Sequence, residues 1–274
     1  MGLRINQNVE AMNSYRHLSE TNTAMSKSLE RLSSGLRINR ASDDAAGLSI
    51  SEKLRSQIGG FKVATQNAQD GISMLQTAEG ALNETTSLLQ RVRDLAVQAS
   101  NGTQDTESRA AADSEVQSAL SEIDRIANST KYGSTSLLSS STSFSFQVGN
   151  TNAASDKISV SVSAMTTSGL SVTGLSISTA SAAASALASI DFAISTVSAQ
   201  RSTFGAVQNR LEHTVANLGV AVENLSASES RIRDTDMASE MVNFTKAQIL
   251  SQAGTAMLAQ ANQAPQSVLS LLRG

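Results

Sequence analysis

The sequence predicts a mainly α protein: a long antiparallel helical bundle or coiled coil built from both chain ends, with a small β-hairpin region in the middle. Three observations lead there. Apolar residues recur every seventh position over long stretches of both halves, the repeat of helices packed in a left-handed supercoil. Only 3% of the 274 residues are aromatic and Trp is absent, although 40% are hydrophobic. Such a chain buries narrow stripes of Ala, Leu, Ile and Met rather than a broad aromatic core. Finally, Pro265 is the single proline, so ring sterics resist helix at one position only.

The elements follow in chain order. At the N-terminus Ile5, Val9, Met12, Leu18, Met25, Leu29 and Leu32 make a weak amphipathic stripe. Ser42, Asp43 and Asp44 can cap orphan amides and oppose the dipole of a following helix. That helix carries Leu54, Phe61, Ala68, Leu75, Leu82, Leu89 and Ala96 at seven-residue intervals, with Ile58, Ile72 and Val92 beside them. Asn101-Gly102 is a natural C-cap and turn. A third helix from about Glu107 to Asn128 shows Val116, Leu120, Ile123 and Ile126 on one face.

Between Lys131 and Thr179 the period changes to two. STSFSFQV and KISVSVSAM alternate apolar with polar residues and flank the turn-rich GNTNAASD, which reads as strands and loops projecting from the helices. The longest heptad comes next: Ile190, Val197, Phe204, Leu211, Leu218, Leu225 and Ile232, with Leu187, Ile194, Val215 and Val222 on neighbouring half-turns. A helix over about 181–232 is on the order of 75 Å long at 1.5 Å per residue, a length suited to a rod. The C-terminal stripe of Ala247, Leu250, Gly254, Met257, Ala261, Ala264, Val268 and Leu271 has small residues and little charge. Neither terminal stripe can bury its apolar face alone, so both need partners.

Charge and composition exclude several function classes. The balance of 21 Lys+Arg against 24 Asp+Glu is interspersed, with no basic block for nucleic acid. Cysteine is absent, which removes disulfides and thiolate metal sites. The first twenty residues lack the apolar run of a secretory signal, and no segment reads as a membrane span of about 18 apolar residues. His17 and His213 lie in no H-E-x-x-H pattern and read as surface or packing residues. Asp43-Asp44 read as caps rather than paired catalytic carboxylates, and the glycines have no phosphate-loop spacing. No cofactor, metal or enzymatic role is expected.

At this point the residues resemble a known family. LSSGLRINRASDDAAGLSISEKLRSQIGG (32–60), NAQDGISMLQTAEGAL (67–82) and LLQRVRDLAVQA (88–99) are similar to the N-terminal signature of bacterial flagellins. GAVQNRLEHTVANL (205–218) and ESRIRDTDMASEMVNFTKAQILSQAGTAMLAQANQAPQSVLSLLR (229–273) resemble the C-terminal one. The resemblance implies a secreted structural subunit that self-assembles into the helical homopolymer of the extracellular flagellar filament, for motility. The nearest alternative is a related hook–filament junction protein.

The resemblance also implies an organisation: residues 1–42 as an inner-tube helix and spoke, 43–130 as shaft helices, 131–180 as a small β and loop region, 181–235 as a C-terminal shaft helix and 236–274 as an inner-tube helix. With so short a middle, large outer domains are absent. The shaft core would be Leu54, Phe61, Leu75, Leu82, Leu89, Ile190, Val197, Phe204, Leu211, Leu218 and Leu225. Inner-tube assembly would use Ile5, Val9, Met12, Leu29, Leu32, Leu250, Met257, Val268 and Leu271. Implied partners are further copies of the chain, a flagellar export chaperone, a cap protein and a hook-associated junction protein. Export through the flagellar apparatus would make a cleaved signal unnecessary. Arg91, Leu95 and Glu115 match positions through which a host Toll-like receptor engages many family members.

Overall fold

Residues 7–273 are described by a computed structural model, with side chains described for 7–263. The helices are α1 (Val9–Ser34), α2 (Ala45–Ser100), α3 (Thr106–Ser129), α4 (Ala180–Arg233) and α5 (Met237–Arg273). Four short strands lie between α3 and α4: β1 (Lys131–Tyr132), β2 (Thr135–Ser136), β3 (Thr142–Gln147) and β4 (Lys157–Val162). The chain divides into two compact units, one of residues 57–223 and one of residues 1–56 with 224–274. Both α2 and α4 contribute residues to each.

In the central unit the heptads do what their spacing requires. Leu75, Leu82 and Leu89 of α2 are sealed in one core with Ile190, Val197, Phe204 and Leu211 of α4. Val116, Leu120 and Ile123 of α3 enter the same cluster. The helices α2 and α4 run antiparallel, tied by Arg93 to Asp191 at 2.7 Å and by Gln208 donating to Glu79 at 3.3 Å. Gln208 and Arg201 break the apolar heptad because both face Glu79. Leu218 is buried, whereas Phe61 is half-buried and lines an open depression with Val148, Ile158, Arg210 and His213.

The β region is a wall of this core rather than an outcrop. Antiparallel β3 and β4 pair Phe144 with Val160 and Phe146 with Ile158, so period-two alternation turns Ile158, Val160 and Val162 inward. Val148, Met165, Leu170, Val172 and Ile177 follow them into the core. Residues 169–179 form no strand. Positive φ at Ser171 and Gly174 interrupts extension there. Side chains of α3 satisfy that loop instead: Asp124 accepts from the Thr167 amide and hydroxyl, each at 2.8 Å. Asp113 accepts from the Ile177 amide at 2.7 Å, and Gln117 donates to the Leu175 carbonyl at 2.7 Å. Gln200 of α4, almost fully buried, donates to the Ser161 carbonyl at 3.0 Å and accepts from the Ser163 amide at 3.3 Å. A buried backbone needs such partners.

The alanine-rich α4 is long and apolar enough, by composition, to cross a membrane, contrary to the sequence reading. Its Ala183, Ala186, Ile190, Ala193 and Val197 are buried against protein, so that apolar stripe serves packing.

The terminal unit is organised by a junction. Gly35 ends α1 in a left-handed conformation (φ 71°), and its amide donates to the Arg31 carbonyl at 2.8 Å. The chain then pairs with the end of α4: the Arg37 amide donates to the Arg233 carbonyl at 2.7 Å and the Thr235 amide to the Gly35 carbonyl at 3.0 Å. Ile38 is sealed beneath. Of the three predicted caps only Asp44 caps α2, accepting from the Gly47 amide at 2.9 Å. Asp43 instead accepts from Lys27 Nζ at 2.8 Å and from the Arg40 and Asn39 amides. In this unit Arg55 meets Glu229 at 3.0 Å, and Leu54 and Leu225 are half-buried.

Three measurements test this packing. Phe204→Ala empties a fully buried site and should cost about 3–5 kcal/mol in urea unfolding. Gln200→Leu strands the Ser161 carbonyl and the Ser163 amide, costing about 1–3 kcal/mol and speeding hydrogen exchange at Ser163. The hydrogen bond from Lys27, followed by those of the Arg40 and Asn39 amides, lowers the Asp43 carboxyl from 3.8 to about 2. A depressed folded value means the contribution of Asp43 is complete above its ordinary value and is lost as pH falls through about 2. Its carboxyl resonance should titrate there, and Lys27→Met should move the midpoint upward; an unmoved midpoint would remove Lys27 as the cause.

Candidate assembly surfaces

The two terminal helices form an antiparallel pair whose register several side chains define. Asn8, the N-cap of α1, donates to the Ala261 carbonyl at 2.7 Å. Ser251 donates to Asn22 at 3.0 Å, and Arg31 meets the buried carboxylate of Glu240 at 3.6 Å. Asp236 caps α5 by accepting from the Ala238 and Ser239 amides. Backbone helix continues through Pro265 to Arg273.

The covered positions obey a 3–4 repeat on both helices. On α1 they are Ala11, Ser14, Leu18, Thr21, Met25, Ser28 and Leu32. On α5 they are Glu240, Phe244, Ala247, Ser251, Gly254, Leu258 and Ala261. This is a coiled-coil seam filled mostly by small and polar residues. A β-carbon at Gly254 would stand 3.2 Å from the Leu18 side chain, so the seam is closed there by the absence of one.

The predicted stripes are therefore divided between two faces. Leu18, Met25, Leu32, Ala247, Gly254 and Ala261 enter the seam. Val9, Met12, Leu29, Leu250 and Met257 are exposed. Ile5 and the side chains of Val268 and Leu271 lie outside the described residues. Sequence reasoning missed Met241, Val242 and Ile249, which are exposed with Leu250 and form an apolar patch with the stem of Lys246. Their spacing along α5 was the available signal. Residues this large do not stand in water by chance when seam positions nearby hold serine, and clustered apolar surface marks an interaction site.

The third predicted group lies in the central unit. Arg91 and Glu115 are exposed and form an ion pair of 2.7 Å between α2 and α3. Leu95 is only 4% exposed and belongs to the core cluster.

Residues 5–143 match the bacterial flagellin N-terminal helical region and residues 187–272 the bacterial flagellin C-terminal helical region. The flagellin of Bacillus subtilis (strain 168) is 48% identical over 99% of this chain and 100% of its own. The flagellin of Halalkalibacterium halodurans is 49% identical over 98% of this chain and 99% of its own. A solved chain described as a flagellar hook-associated protein of Vibrio parahaemolyticus covers 70% of this chain and 100% of its own at 14% identity and a TM-score of 0.59, a likeness of fold. Matches at both helical ends and near full-length identity with flagellins do not favour the junction-protein alternative. The chain belongs to the bacterial flagellin family.

Proposed function

We propose that this chain acts by placing α1 and α5 of many copies side by side, so that the apolar residues left outside each seam are covered by neighbouring copies. The chain is a structural subunit of the bacterial flagellar filament. The observation that carries the assembly reading is the division of the terminal stripes: the seam, mostly small and polar, takes only part of the apolar set, while Val9, Met12, Leu29, Met241, Val242, Ile249, Leu250 and Met257 stay exposed. Covering apolar area contributes about 25 cal/mol per Å², and each subunit repeats that gain. Isolated helices with so poor a seam are marginal in water, so neighbours supply what the pair lacks.

On this reading residues 1–42 and 236–274 make the inner tube, 43–130 and 181–235 a surrounding shaft, and 131–180 its β wall. The subunit works outside the cell after secretion. Before assembly an export chaperone would cover the apolar face of α5; a cap protein and a hook-associated junction protein would bound the polymer at its ends. Recognition of the free chain by a host Toll-like receptor would fall to Arg91, Leu95 and Glu115, of which Arg91 and Glu115 are exposed and Leu95 is buried. The family function is structural, and no reaction is assigned.

Exposed positions allow a test that spares the fold. Ile249→Glu/Leu250→Glu should retain the helical circular dichroism of the wild type, because neither side chain is buried. On seeding, the wild type should extend into tubular filaments visible by electron microscopy, and the variant should not. Elongation of the variant at the wild-type rate would mean that this face of α5 takes no part in assembly.

A further inference from the structure

With no cysteine in the chain, methionine is its oxidisable sulfur, and the fold sorts sharply the seven of its eight methionines that lie among the described residues. Met74 and Met165 are buried in the central core. Met25 sits part-covered in the seam between α1 and α5. Met12, Met237, Met241 and Met257 stand outside the seam at 68%, 48%, 50% and 62% exposure. Among the described residues, the accessible thioethers are thus carried by the two terminal helices, beside the apolar residues that the filament reading places between copies.

We propose that Met12, Met237, Met241 and Met257 form a reversible oxidation site through which a peroxide blocks incorporation of the free subunit. The sulfur lone pair attacks one oxygen of hydrogen peroxide and the O–O bond breaks. Sulfur loses two electrons and gains the S=O bond, while the departing hydroxide takes the proton of the transferred oxygen and leaves as water. A flexible apolar side chain becomes polar, with a strong acceptor oxygen. In the free subunit that oxygen stays hydrated and the fold is unaffected. On incorporation it must leave water without a donor prepared for it, which opposes burial. Met241 is the most consequential of the four, because it lines the patch with Val242, Ile249 and Leu250. Once subunits have assembled, the same contacts shield the sulfurs, so sensitivity belongs to the unassembled chain.

The inference rests on the filament reading and is tested so that the two can fail separately. Free full-length chain is treated with hydrogen peroxide, digested, and the added oxygen located by mass spectrometry. The four outward methionines should be oxidised roughly tenfold or more ahead of Met74 and Met165. The oxidised chain, its circular dichroism unchanged, should elongate seeds at least about tenfold more slowly, and methionine sulfoxide reductases acting on both epimers should restore elongation. Met12→Leu/Met237→Leu/Met241→Leu/Met257→Leu should elongate equally before and after peroxide. Should that variant not elongate even untreated, enzymatic restoration of the wild type decides. Equal oxidation of Met74 and Met165, or oxidised chain elongating at the untreated rate, would overturn the proposal. Untreated chain that never elongates would overturn the filament reading and the block together, leaving the oxidation map to decide the modification site alone.

Discussion

Where α1 and α5 meet, Ala11, Ser14, Thr21 and Ser28 share a seam with Ala247, Ser251, Gly254 and Ala261, and side chains this small let two backbones approach closely while burying little apolar area. Close approach brings polar partners into reach: Asn8 finds the Ala261 carbonyl, Ser251 finds Asn22, and Arg31 offsets the buried charge of Glu240. Register is specified by these contacts more than stability is supplied by them, since polar seam positions set pairing at a cost. Leu18, Met25, Leu32, Phe244 and Leu258 are the large apolar residues that the seam takes, whereas Val9, Met12, Leu29, Ile249, Leu250 and Met257 lie outside it. The assembly reading depends on that outward apolar face.

The central unit meets the opposite requirement. Its seam positions join Leu, Ile, Val and Phe with Ala, and a third helix and the β3–β4 hairpin close the core, so much of its apolar area is buried within the chain. Polar groups there are used as fasteners. Gln200 replaces a missing strand partner for β4, and Asp113, Gln117 and Asp124 bind a loop that has no ladder of its own. These contacts hold the β region and its loop against the helical core. A subunit built this way can hold its central fold while its terminal helices keep surface available for neighbours, which is the physical content of a division between folding and assembly.

Helix identities and approximate limits were legible because periodicity is a property of the covalent order: Leu75, Leu82 and Leu89, or Val197, Phe204 and Leu211, must line one face of any helix that contains them. The strand pair was legible for the same reason, since STSFSFQV and KISVSVSAM alternate around a turn-rich segment. Asp44 and the Asn101-Gly102 turn were recognisable from local backbone chemistry, whereas Asp43 was not. Its partner Lys27 lies on another helix, and that contact, not helix capping, depresses its carboxyl.

What the sequence by itself determined is therefore which residues share a face and which family pattern they follow. Tertiary structure decided where each face points. A 3–4 stripe on α1 or α5 specifies amphipathicity, but Leu18 and Val9 belong to one stripe in sequence and to two environments in space. Only packing α1 on α5 reveals that the seam takes Leu18, Met25 and Leu32 and leaves Met12, Leu250 and Met257 outside. Leu95 shows the same limit. A surface role and a core role are both compatible with its place between Arg91 and Ala99, and it is the tertiary structure that buries its side chain in the central core. The reason is common to all of these cases: periodicity is local along the chain, whereas burial depends on which distant segment arrives to cover a face.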